Sequence, residues 1–543
     1  MVGSFFWVIS ACIAQGDASG QVEQSVKKHG QSEPRREPTP SNLQDQPAPA
    51  EQEPQDVRFK VRAFLIEGNK SIPTGELQAL IAEPEEREMT LSEVKAKVQA
   101  IGAYYRTNGL LARAYIPEQE VKDGIVRIIV VEARFGCMQV EGNEHYTSEF
   151  ILGHLRFDSG DVLHLGRLEL GLRRLNDYPG LNVQATLRPG GEPGTTDVLL
   201  SAQDLYPLRT SVTYDNFGAE TVSEHRIGAS VDWLNLFEAG HSLGFRAVEG
   251  SDSGEVTFGE LSYFMPFPSG VELRASAALY EYEASQGIAV LEPLGDGHSI
   301  RLQGSLPLKA GRALSLAAYA ALEFKTLKQE LLGTVISRDR LRVLEIGLEL
   351  DATSSGGGRW IVASRLRRGL EGFMGGLENN DPDASRPGAD GGYTRFSIDV
   401  TRLQAIGDGL SAVFRVYGQF TTEPLVVSEQ IAVGGADSVR GYAPFEFIGD
   451  RGYTATGEIR VRLPWLERTH MEFAAFIDTG EGIRDKPAPG EQKSEVLSGG
   501  GVGLRLSQPN WGSVRIDVAW PISNPNPADG KEPRYYVSAA IHF

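Results

Sequence analysis

Residues 512–520 and 534–543 read GSVRIDVAW and RYYVSAAIHF, and both segments alternate between apolar and polar side chains. In the first segment one face collects Val514, Ile516, Val518 and Trp520, and the other collects Arg515 and Asp517. In the second segment one face collects Tyr535, Val537, Ala539, Ile541 and Phe543. Because successive side chains of a strand point to opposite faces, this period of two predicts two half-buried β-strands. The polar face suits either bulk water around a soluble sandwich or the wet interior of a barrel, and alternation alone does not separate the two.

The same period extends back to Leu208 and predicts sixteen strands. They are expected near 208–216, 225–233, 241–249, 256–265, 271–281, 299–307, 313–325, 341–350, 359–368, 394–404, 410–420, 453–463, 469–479, 498–507, 513–521 and 534–543. Short turns such as PFPSG and IGDG alternate with longer connections, predicted at 282–298, 326–340, 369–393, 421–452 and 522–533. An even number of strands with short turns on one side and long loops on the other is typical of an outer-membrane β-barrel. A bilayer requires such a barrel to be closed, because a free strand edge has no partner in lipid.

Composition limits the function classes. The 543 residues are 41 % hydrophobic, and mean hydropathy is −0.23. After residue 14 no apolar run approaches the roughly 20 residues of a membrane helix, which excludes an α-helical membrane protein. The net charge of −19 repels phosphate backbones, so nucleic acid is not an expected partner. With two cysteines and no clustered metal-ligating motif, neither a metal site nor a cofactor is predicted.

No catalytic constellation is present, and we predict that the chain is not an enzyme. The glycine-rich stretch GGGVG at 499–503 is similar to a phosphate-binding loop, but it lacks the following helix and lysine. Glycines within a barrel strand are the better interpretation.

The first 56 residues are not expected to form a domain. Residues 1–14, with FFWVISACIA at 5–14, are typical of a signal-peptide core, although the start lacks Lys and Arg. The sequence ISAC at 9–12 also fits a lipoprotein box, so that alternative stays open. Residues 15–56 are rich in Pro, Gln and Glu, which predicts a disordered linker, with at most a weak helix at 22–29.

Two small α+β units follow, at 57–133 and 134–206. The first begins with a strand in FKVRAFLIEG, continues through a helix at 91–107, and ends with strands in LARAYI and GIVRIIVVEA. The second repeats this order from the strand CMQVEG to NVQATLRP and TTDVLLSAQ. Two consecutive units of the same order indicate an internal repeat.

Two motifs in the barrel region carry a resemblance. The predicted loop 421–452 contains GGADSVRGY at 434–442, and the next predicted strand, the thirteenth, contains FIDTG at 476–480. This pair resembles the lumenal-loop and strand motifs of the BamA-like outer-membrane superfamily. The resemblance implies that the loop folds into the barrel and that Arg440 pairs with Asp478. The residues it assigns are Val439, Arg440, Gly441 and Tyr442 in the loop, and Phe476, Asp478 and Gly480 on the strand. Strand parity places Asp478 on the polar face, which is the lumenal one.

Within that superfamily the chain is most similar to the two-partner secretion transporters (TpsB; the haemolysin and filamentous haemagglutinin secretion-activation family, ShlB/FhaC/HecB type). YIPEQEVKDGIVRIIVVEARF at 115–135 resembles the end of a first POTRA domain, and residues 172–200 resemble a second one. YDNFGAE at 214–220 resembles the first barrel strand and loop, and Phe543 matches the terminal aromatic of a barrel-insertion signal. The implied fold is a 16-stranded membrane barrel at 207–543 preceded by two POTRA domains.

The resemblance implies secretion. A large unfolded exoprotein of haemolysin or adhesin type would meet the POTRA domains in the periplasm and cross the outer membrane of a Gram-negative bacterium through the barrel, without ATP. Its segments would add to strand edges at 111–116 or 182–189, although the POTRA-like units also fit a role as passive spacers. Other implied partners are outer-membrane lipid and the barrel-assembly machinery, with the chain acting as a monomer. Two alternatives stay open: a BamA-like insertase working at the seam of first and last strands, and a passive porin-like channel.

Overall fold

A computed structural model describes residues 44–45, 58–82, 86–121, 123–251, 255–283, 293–311, 313–463, 470–508, 511–523 and 525–543. The predicted leader 1–14, the weak helix predicted at 22–29 and the linker 15–56 apart from Gln44–Asp45 lie outside the described residues. The described chain divides after Pro207 into two compact units.

In the residues that the structure describes, the N-terminal unit is built from short strands and four helices. In chain order these are β1 (Gln44–Asp45), β2 (Arg58–Val61), β3 (Ala63–Glu67), α1 (Thr74–Ile81), β4 (Arg87–Thr90), α2 (Leu91–Thr107), β5 (Ala112–Tyr115), β6 (Ile125–Glu132), β7 (Arg134–Glu141), α3 (Ser148–Gly153), α4 (Leu165–Asn176), β8 (Leu181–Pro189) and β9 (Thr195–Asp204). The sheets run β3–β6–β5, β2–β4 and β1–β8–β9–β7. Across the described ranges, no helix combines the length and the apolar character that crossing a bilayer demands.

Helix α2 shows why the first repeat folds as it does. Thr90 and Glu93 form a capping box at its start, which satisfies backbone donors that the first turn leaves free. Its buried residues are Val94, Val98, Ile101 and Tyr105, all at helical spacing. These side chains join strands β3 and β6 in one hydrophobic core.

Both repeats contain the same turn, with the sequence Glu-Gly-Asn, after β3 in the first and after β7 in the second. In the first repeat, Gly68 has φ of +92° and a side chain there would lie 2.3 Å from the Val130 carbonyl oxygen, so only glycine fits. The Glu132 carboxylate accepts the Lys70 and Ser71 amides, both at 2.7 Å, and the Tyr105 hydroxyl at 2.9 Å. The Glu132 carboxylate at the end of β6 therefore holds the turn that follows β3.

The second repeat reproduces this arrangement. Gly142 has φ of +81° and a side chain there would lie 2.6 Å from the Ala202 carbonyl oxygen. Asp204, at the end of β9, accepts the amides of His145 and Tyr146, both at 2.7 Å. The internal repeat is thus visible in individual hydrogen bonds as well as in element order.

The edge of β8 has a neighbour. Gln44 and Asp45 pair in parallel with Thr186 and Leu187 of β8. By contrast, β5 is the last strand of its three-stranded sheet. Of the two edges expected at 111–116 and 182–189, the second is therefore partly paired, whereas within the described residues no strand pairs with the outer side of β5.

The C-terminal unit is a closed antiparallel barrel of sixteen strands, which confirms the predicted fold class. The barrel strands are β10 (Leu208–Asp215), β11 (Arg226–Leu234), β12 (Ser242–Gly250), β13 (Glu255–Pro266), β14 (Glu272–Glu283), β15 (Leu294–Ala310), β16 (Leu314–Leu331), β17 (Thr334–Ser354), β18 (Gly358–Gly369), β19 (Thr394–Gly407), β20 (Leu410–Phe420), β23 (Arg451–Arg462), β24 (His470–Ile483), β25 (Ser494–Gln508), β26 (Gly512–Pro521) and β27 (Arg534–His542). Between β20 and β23, the shorter strands β21 (Ile431–Val433) and β22 (Phe447–Gly449) pair with each other.

One predicted long loop is wrong. Residues 326–340 belong to the hairpin of β16 and β17, which turns at Leu332 and Gly333. Both turn residues have positive φ, +50° and +71°, as tight hairpins prefer. The outward face changes from apolar to charged near Lys328, which pairs with Asp296 at 3.2 Å and Glu330 at 2.5 Å. The alternation of apolar and polar residues ends there, whereas the backbone pairing of β16 and β17 continues to Leu331 and Thr334.

The barrel closes where β10 meets β27. Their ladder runs from Ser211–His542 to Asp215–Ser538. Beyond it, the side chain of Asn216 donates to the Tyr535 carbonyl at 2.9 Å and accepts the Val537 amide at 2.7 Å. The Asn216 amide group thus extends the seam as an additional rung.

Candidate functional site

The loop 421–452 lies inside the barrel. Its residues 424–442 are nearly all buried, although they belong to a connection between strands. Val439 and Tyr442 pack with Val433 and with Leu497 of β25, all of them fully buried. Because Leu497 belongs to the barrel wall, these contacts place the loop against the lumenal face.

The tip of the loop binds β24 through Arg440 and Asp478. The Arg440 Nε donates to Asp478 Oδ2 at 2.7 Å, and Nη2 donates to Oδ1 at 2.9 Å. The Arg440 backbone amide donates to the same carboxylate at 3.2 Å. The structure thus brings the two residues together in a two-pronged pair, a geometry that a guanidinium makes and an ammonium does not.

Two further acids contact the same guanidinium. Arg440 Nη1 lies 3.1 Å from Glu458 Oε2 on β23 and 3.3 Å from Asp517 Oδ2 on β26. Its guanidinium carbon lies 3.2 Å from the centre of the Phe476 ring. Burial by itself would lower the pKa of Arg440, but the hydrogen bonds and charge of Asp478 outweigh it and raise the pKa above the ordinary value. The arginine therefore stays charged although it is only 3 % exposed.

Tyr442 and Gly441 fix the backbone beside the arginine. The Tyr536 hydroxyl on β27 accepts the Gly441 amide at 3.1 Å and donates to the Tyr442 carbonyl at 2.8 Å. The Tyr442 hydroxyl donates to the Ser523 carbonyl at 2.6 Å. Gly441 has φ of +102°, and a side chain there would lie 2.7 Å from the Trp520 backbone.

Two wall glycines make room for the loop. A side chain at Gly480 would lie 3.0 Å from Val433 of the loop, and one at Gly499 would lie 1.8 Å from the Arg440 carbonyl oxygen. Gly499 stands directly opposite Asp478 in the ladder. Gly499, the first residue of the glycine-rich stretch 499–503, thus contributes to the site by leaving space there.

Phe543 does not belong to this site. Its side chain is 76 % exposed, and its backbone pairs with Thr210 on the first barrel strand. The structure therefore places it at the end of the seam where β10 begins and β27 ends.

Glu458, Asp517, Gly499 and Tyr536 are the contacts that the motif left out. Strand alternation assigns Glu458 and Asp517 to the polar face, and that signal is available from sequence. Which polar residues the loop tip reaches depends on strand order and stagger, which alternation does not encode.

Within the residues that the structure describes, no group of three or more His, Cys, Asp or Glu side chains is placed to hold a metal ion. The contacts of Arg440 hold the tip of a long loop in a buried position.

Comparison with known proteins gives consistent matches along the chain. The family model described as haemolysin secretion/activation protein ShlB/FhaC/HecB matches residues 194–506, more than half of the chain. The model of the ShlB-type POTRA domain matches residues 59–133.

Curated relatives have low sequence identity to this chain but align with it over most of its length. The outer membrane transporter CdiB of Dickeya dadantii (strain 3937) is 24 % identical over 499 residues, covering 89 % of this chain and 87 % of the relative. The heme/hemopexin transporter protein HuxB of Haemophilus influenzae (strain 86-028NP) is 21 % identical over 483 residues, covering 87 % and 85 %.

Solved structures share the fold. CdiB from Escherichia coli has a TM-score of 0.74 at 20 % identity, over 97 % of this chain and 98 % of that chain. BamA from Haemophilus ducreyi lacking POTRA domains 1–3 has a TM-score of 0.56 at 15 % identity, over 89 % and 100 %. The chain therefore belongs to the haemolysin secretion/activation family ShlB/FhaC/HecB, and is an outer-membrane transporter of a Gram-negative bacterium that secretes a partner exoprotein, with its POTRA domains in the periplasm.

Proposed function

We propose that the barrel interior is the route of one large, unfolded exoprotein of haemolysin or adhesin type, and that loop 421–452 closes this route at rest. The observation that carries the proposal is the buried pair of Arg440 and Asp478. A long loop has many conformations, so holding it in the lumen requires a directional anchor. Releasing that anchor would free cross-section for an extended chain.

We further propose the following domain boundaries and a role for the POTRA domains. A leader at 1–14 and a linker at 15–56 precede POTRA domains at 57–133 and 134–206, and the barrel occupies 207–543. The POTRA domains recognise the exoprotein by strand addition, for which the β5 edge at Ala112–Tyr115 is the better candidate because β8 already pairs with β1.

The surface and the C-terminal residue of the barrel suggest two further partners, outer-membrane lipid and the barrel-assembly machinery. Apolar side chains are exposed on its outer face, including Phe245, Leu261, Ile300, Leu302, Ile346 and Trp360. We propose that these meet outer-membrane lipid and that the chain works as a monomer. Phe543 would serve the barrel-assembly machinery as an insertion signal. Transport would proceed without catalysis and without ATP.

A barrel-insertase role is the second candidate function. One observation favours it: the β10–β27 ladder has five register pairs, the fewest between neighbouring barrel strands. An insertase would open this seam sideways, whereas a secretion pore keeps it closed.

The test is to delete the gene and compare secreted proteins by mass spectrometry. We expect one large exoprotein to disappear from the medium and to return with the wild-type gene but not with Arg440→Ala. A general loss of outer-membrane barrels in the deletion strain would instead support the insertase role. An unchanged set of secreted proteins would contradict the proposal.

A further inference from the structure

The base of loop 421–452, which is the region around Glu429 and Asp450, contains a second ion-pair cluster, separate from Arg440. Glu429 ends the short 3-10 turn Val427–Glu429 and is 1 % exposed. Its carboxylate lies 3.0 Å from Lys325 Nζ on β16, 3.0 Å from Arg395 Nη1 on β19 and 3.2 Å from Arg367 Nε on β18. Three strands of the wall thus meet one side chain of the loop.

The wall holds one of these cations, Arg367, through its own carboxylates. Arg367 also donates to Glu345 on β17 and to Glu323 on β16, both at 2.5 Å. Arg301 on β15 donates to Glu345 at 2.9 Å. Because two wall carboxylates already hold Arg367, its side chain has little freedom to follow a displaced loop. Burial would raise the pKa of Glu429, but Arg367, Lys325 and Arg395 together lower it below the ordinary value.

The backbone of the base is held as well. The Glu429 carbonyl accepts from Arg395 Nη1 at 2.8 Å and from Gln419 Nε2 at 2.9 Å. The same Gln419 amide donates to the Asp450 carbonyl at 2.9 Å. The Asp450 carboxylate accepts from the Leu425 amide at 2.8 Å and from Gln430 Nε2 at 3.1 Å. One side chain of β20 therefore ties together the two ends of the loop.

The base and the tip belong to one hairpin. Strand β21 begins two residues after Glu429, and β22 ends one residue before Asp450. Their three rungs, from Ile431–Gly449 to Val433–Phe447, make a stiff stem beneath the tip. Arg440 lies eleven residues beyond Glu429, and its partner strand β24 is four places from β18 around the barrel. A rotation of the base would therefore move the tip away from Asp478.

We propose that Glu429 is a positioning residue of the lumenal loop: its contacts with Lys325, Arg367 and Arg395 fix the hairpin base and direct Arg440 onto Asp478. The inference deepens the proposed function and rests on its premise that the loop closes the pore. Glu429 touches no reacting or transported group, and acts through Arg440.

The test measures where the loop tip lies. Ala436, in the tip, is 6 % exposed; it is replaced with Cys in the full-length chain after Cys12 and Cys137 are replaced with Ser. The rate of labelling by a charged maleimide then reports how far the tip is withdrawn. We expect Glu429→Gln to raise this rate by about fivefold or more, because an uncharged amide no longer forms ion pairs with Lys325, Arg367 and Arg395. Glu429→Asp, which keeps the charge, should stay within about twofold of the parent.

A matched control separates positioning from general loss of a lumenal charge. Glu260 on β13 pairs with Arg246 on β12 at 3.4 Å, and Glu260→Gln should leave the labelling rate unchanged. Asp478→Asn serves as the positive control, since it removes the tip anchor itself. Heat-dependent migration in gels shows that each barrel is folded. If Glu429→Gln does not fold, Arg395→Gln removes one of the same contacts from the wall side and should raise the rate in the same direction.

The outcomes are distinct. If Asp478→Asn labels fast while folded Glu429→Gln, or Arg395→Gln in its place, labels at the parental rate, the tip holds without the base and the inference is overturned. Because labelling involves no exoprotein, failure of the wild-type chain to secrete one would contradict the proposed function while leaving this measurement intact.

Discussion

At the scale of single residues, the contacts of Arg440 decide which substitutions are informative. The motif predicts one partner, Asp478, but Glu458 and Asp517 also reach the guanidinium. Exchanging the charges of Arg440 and Asp478 would place a carboxylate at 440 beside those two acids. Like charges at such distances repel, so the exchanged pair is not expected to restore function even though the residues touch.

Arg440→Ala, Asp478→Asn and Arg440→Lys are the informative variants. Removing one partner of a buried ion pair costs about 3–5 kcal/mol, so Arg440→Ala and Asp478→Asn should lower secretion by about tenfold or more. Arg440→Lys keeps the charge but loses the two-pronged geometry, and we expect secretion between that of the alanine variant and the wild type. Immunoblots of the secreted exoprotein measure the effect. Because either single variant already removes the contact between Arg440 and Asp478, the double variant should be no worse than Arg440→Ala alone, and additive losses would contradict this pairing.

Glu132 gives the N-terminal unit a predictable dependence on pH. Burial would raise its pKa, but hydrogen bonds from Ser71, Lys70 and Tyr105 outweigh it and lower the pKa below the ordinary value. A carboxyl whose pKa is lowered by folding stabilises the fold above its unfolded pKa of about 4.3, and the stabilisation is lost as pH falls through the folded pKa. Glu132→Gln should cost about 2 kcal/mol of unfolding free energy at neutral pH. It should also make the unfolding free energy fall less steeply as the pH is lowered below about 4.3.

Urea unfolding of the fragment 58–207 at several pH values tests this. The control is Glu67→Gln, which breaks an exposed pair with Arg127 and should change stability by less than about 1 kcal/mol. Asp204 also has a lowered pKa, so part of the acid sensitivity should remain. If the unfolding free energy of Glu132→Gln falls with decreasing pH as steeply as that of the parent, Glu132 is not a source of the acid sensitivity.

At the scale of elements, β25 combines a wall strand with a recess for the loop. Gly499 faces the loop tip, where any side chain would meet the Arg440 carbonyl at 1.8 Å. The next residue, Gly500, faces away, and a side chain there would lie 2.9 Å from the flexible end of Ile522 and 3.3 Å from the Phe476 carbonyl oxygen. Gly499→Ala should therefore displace the tip and reduce secretion as Arg440→Ala does, while Gly500→Ala should secrete nearly normally. Equal secretion by the two folded variants would show that the recess has no role.

Strand elements were more predictable from sequence than loops. All sixteen barrel strands were predicted because a wall between lipid and water imposes a period of two on every strand. The hairpin of β16 and β17 was predicted as a loop because its outer end carries Lys328 and Glu330 in place of apolar residues. Pairing of backbone groups needs no apolar face, so the ladder continues where the pattern ends.

At the scale of the whole barrel, the site was predictable only in part. The motif supplies Arg440 and Asp478, and alternation places Asp478 on the lumenal side. The Glu429 cluster has no sequence signal, because Lys325, Arg367 and Arg395 are far apart in the chain and isolated charges on the polar face look alike. Their meeting depends on the closure and stagger of the barrel.

Closure of the seam also separates the two candidate functions. Strands β10 and β27 share five register pairs, and the Asn216 side chain adds a further rung at one end. At the other end, Thr210 and Phe543 exchange backbone hydrogen bonds at 3.3 and 2.9 Å. A chain crossing through the lumen leaves this ladder intact, whereas sideways insertion of another barrel must break it.

A disulfide across the seam makes the distinction measurable. Thr213 and Ala540 stand opposite each other and, three residues from the hydrogen-bonded Thr210–Phe543 pair, form a non-hydrogen-bonded pair. Such pairs have Cα atoms about 4.5 Å apart, within the range of a disulfide. In a chain lacking Cys12 and Cys137, Thr213→Cys with Ala540→Cys should lock the seam, and secretion should stay within about twofold with or without reductant, because a lumenal route never opens the ladder. Secretion that stops on oxidation and returns on reduction would show that the seam opens, and would favour the insertase-like route over the closed pore.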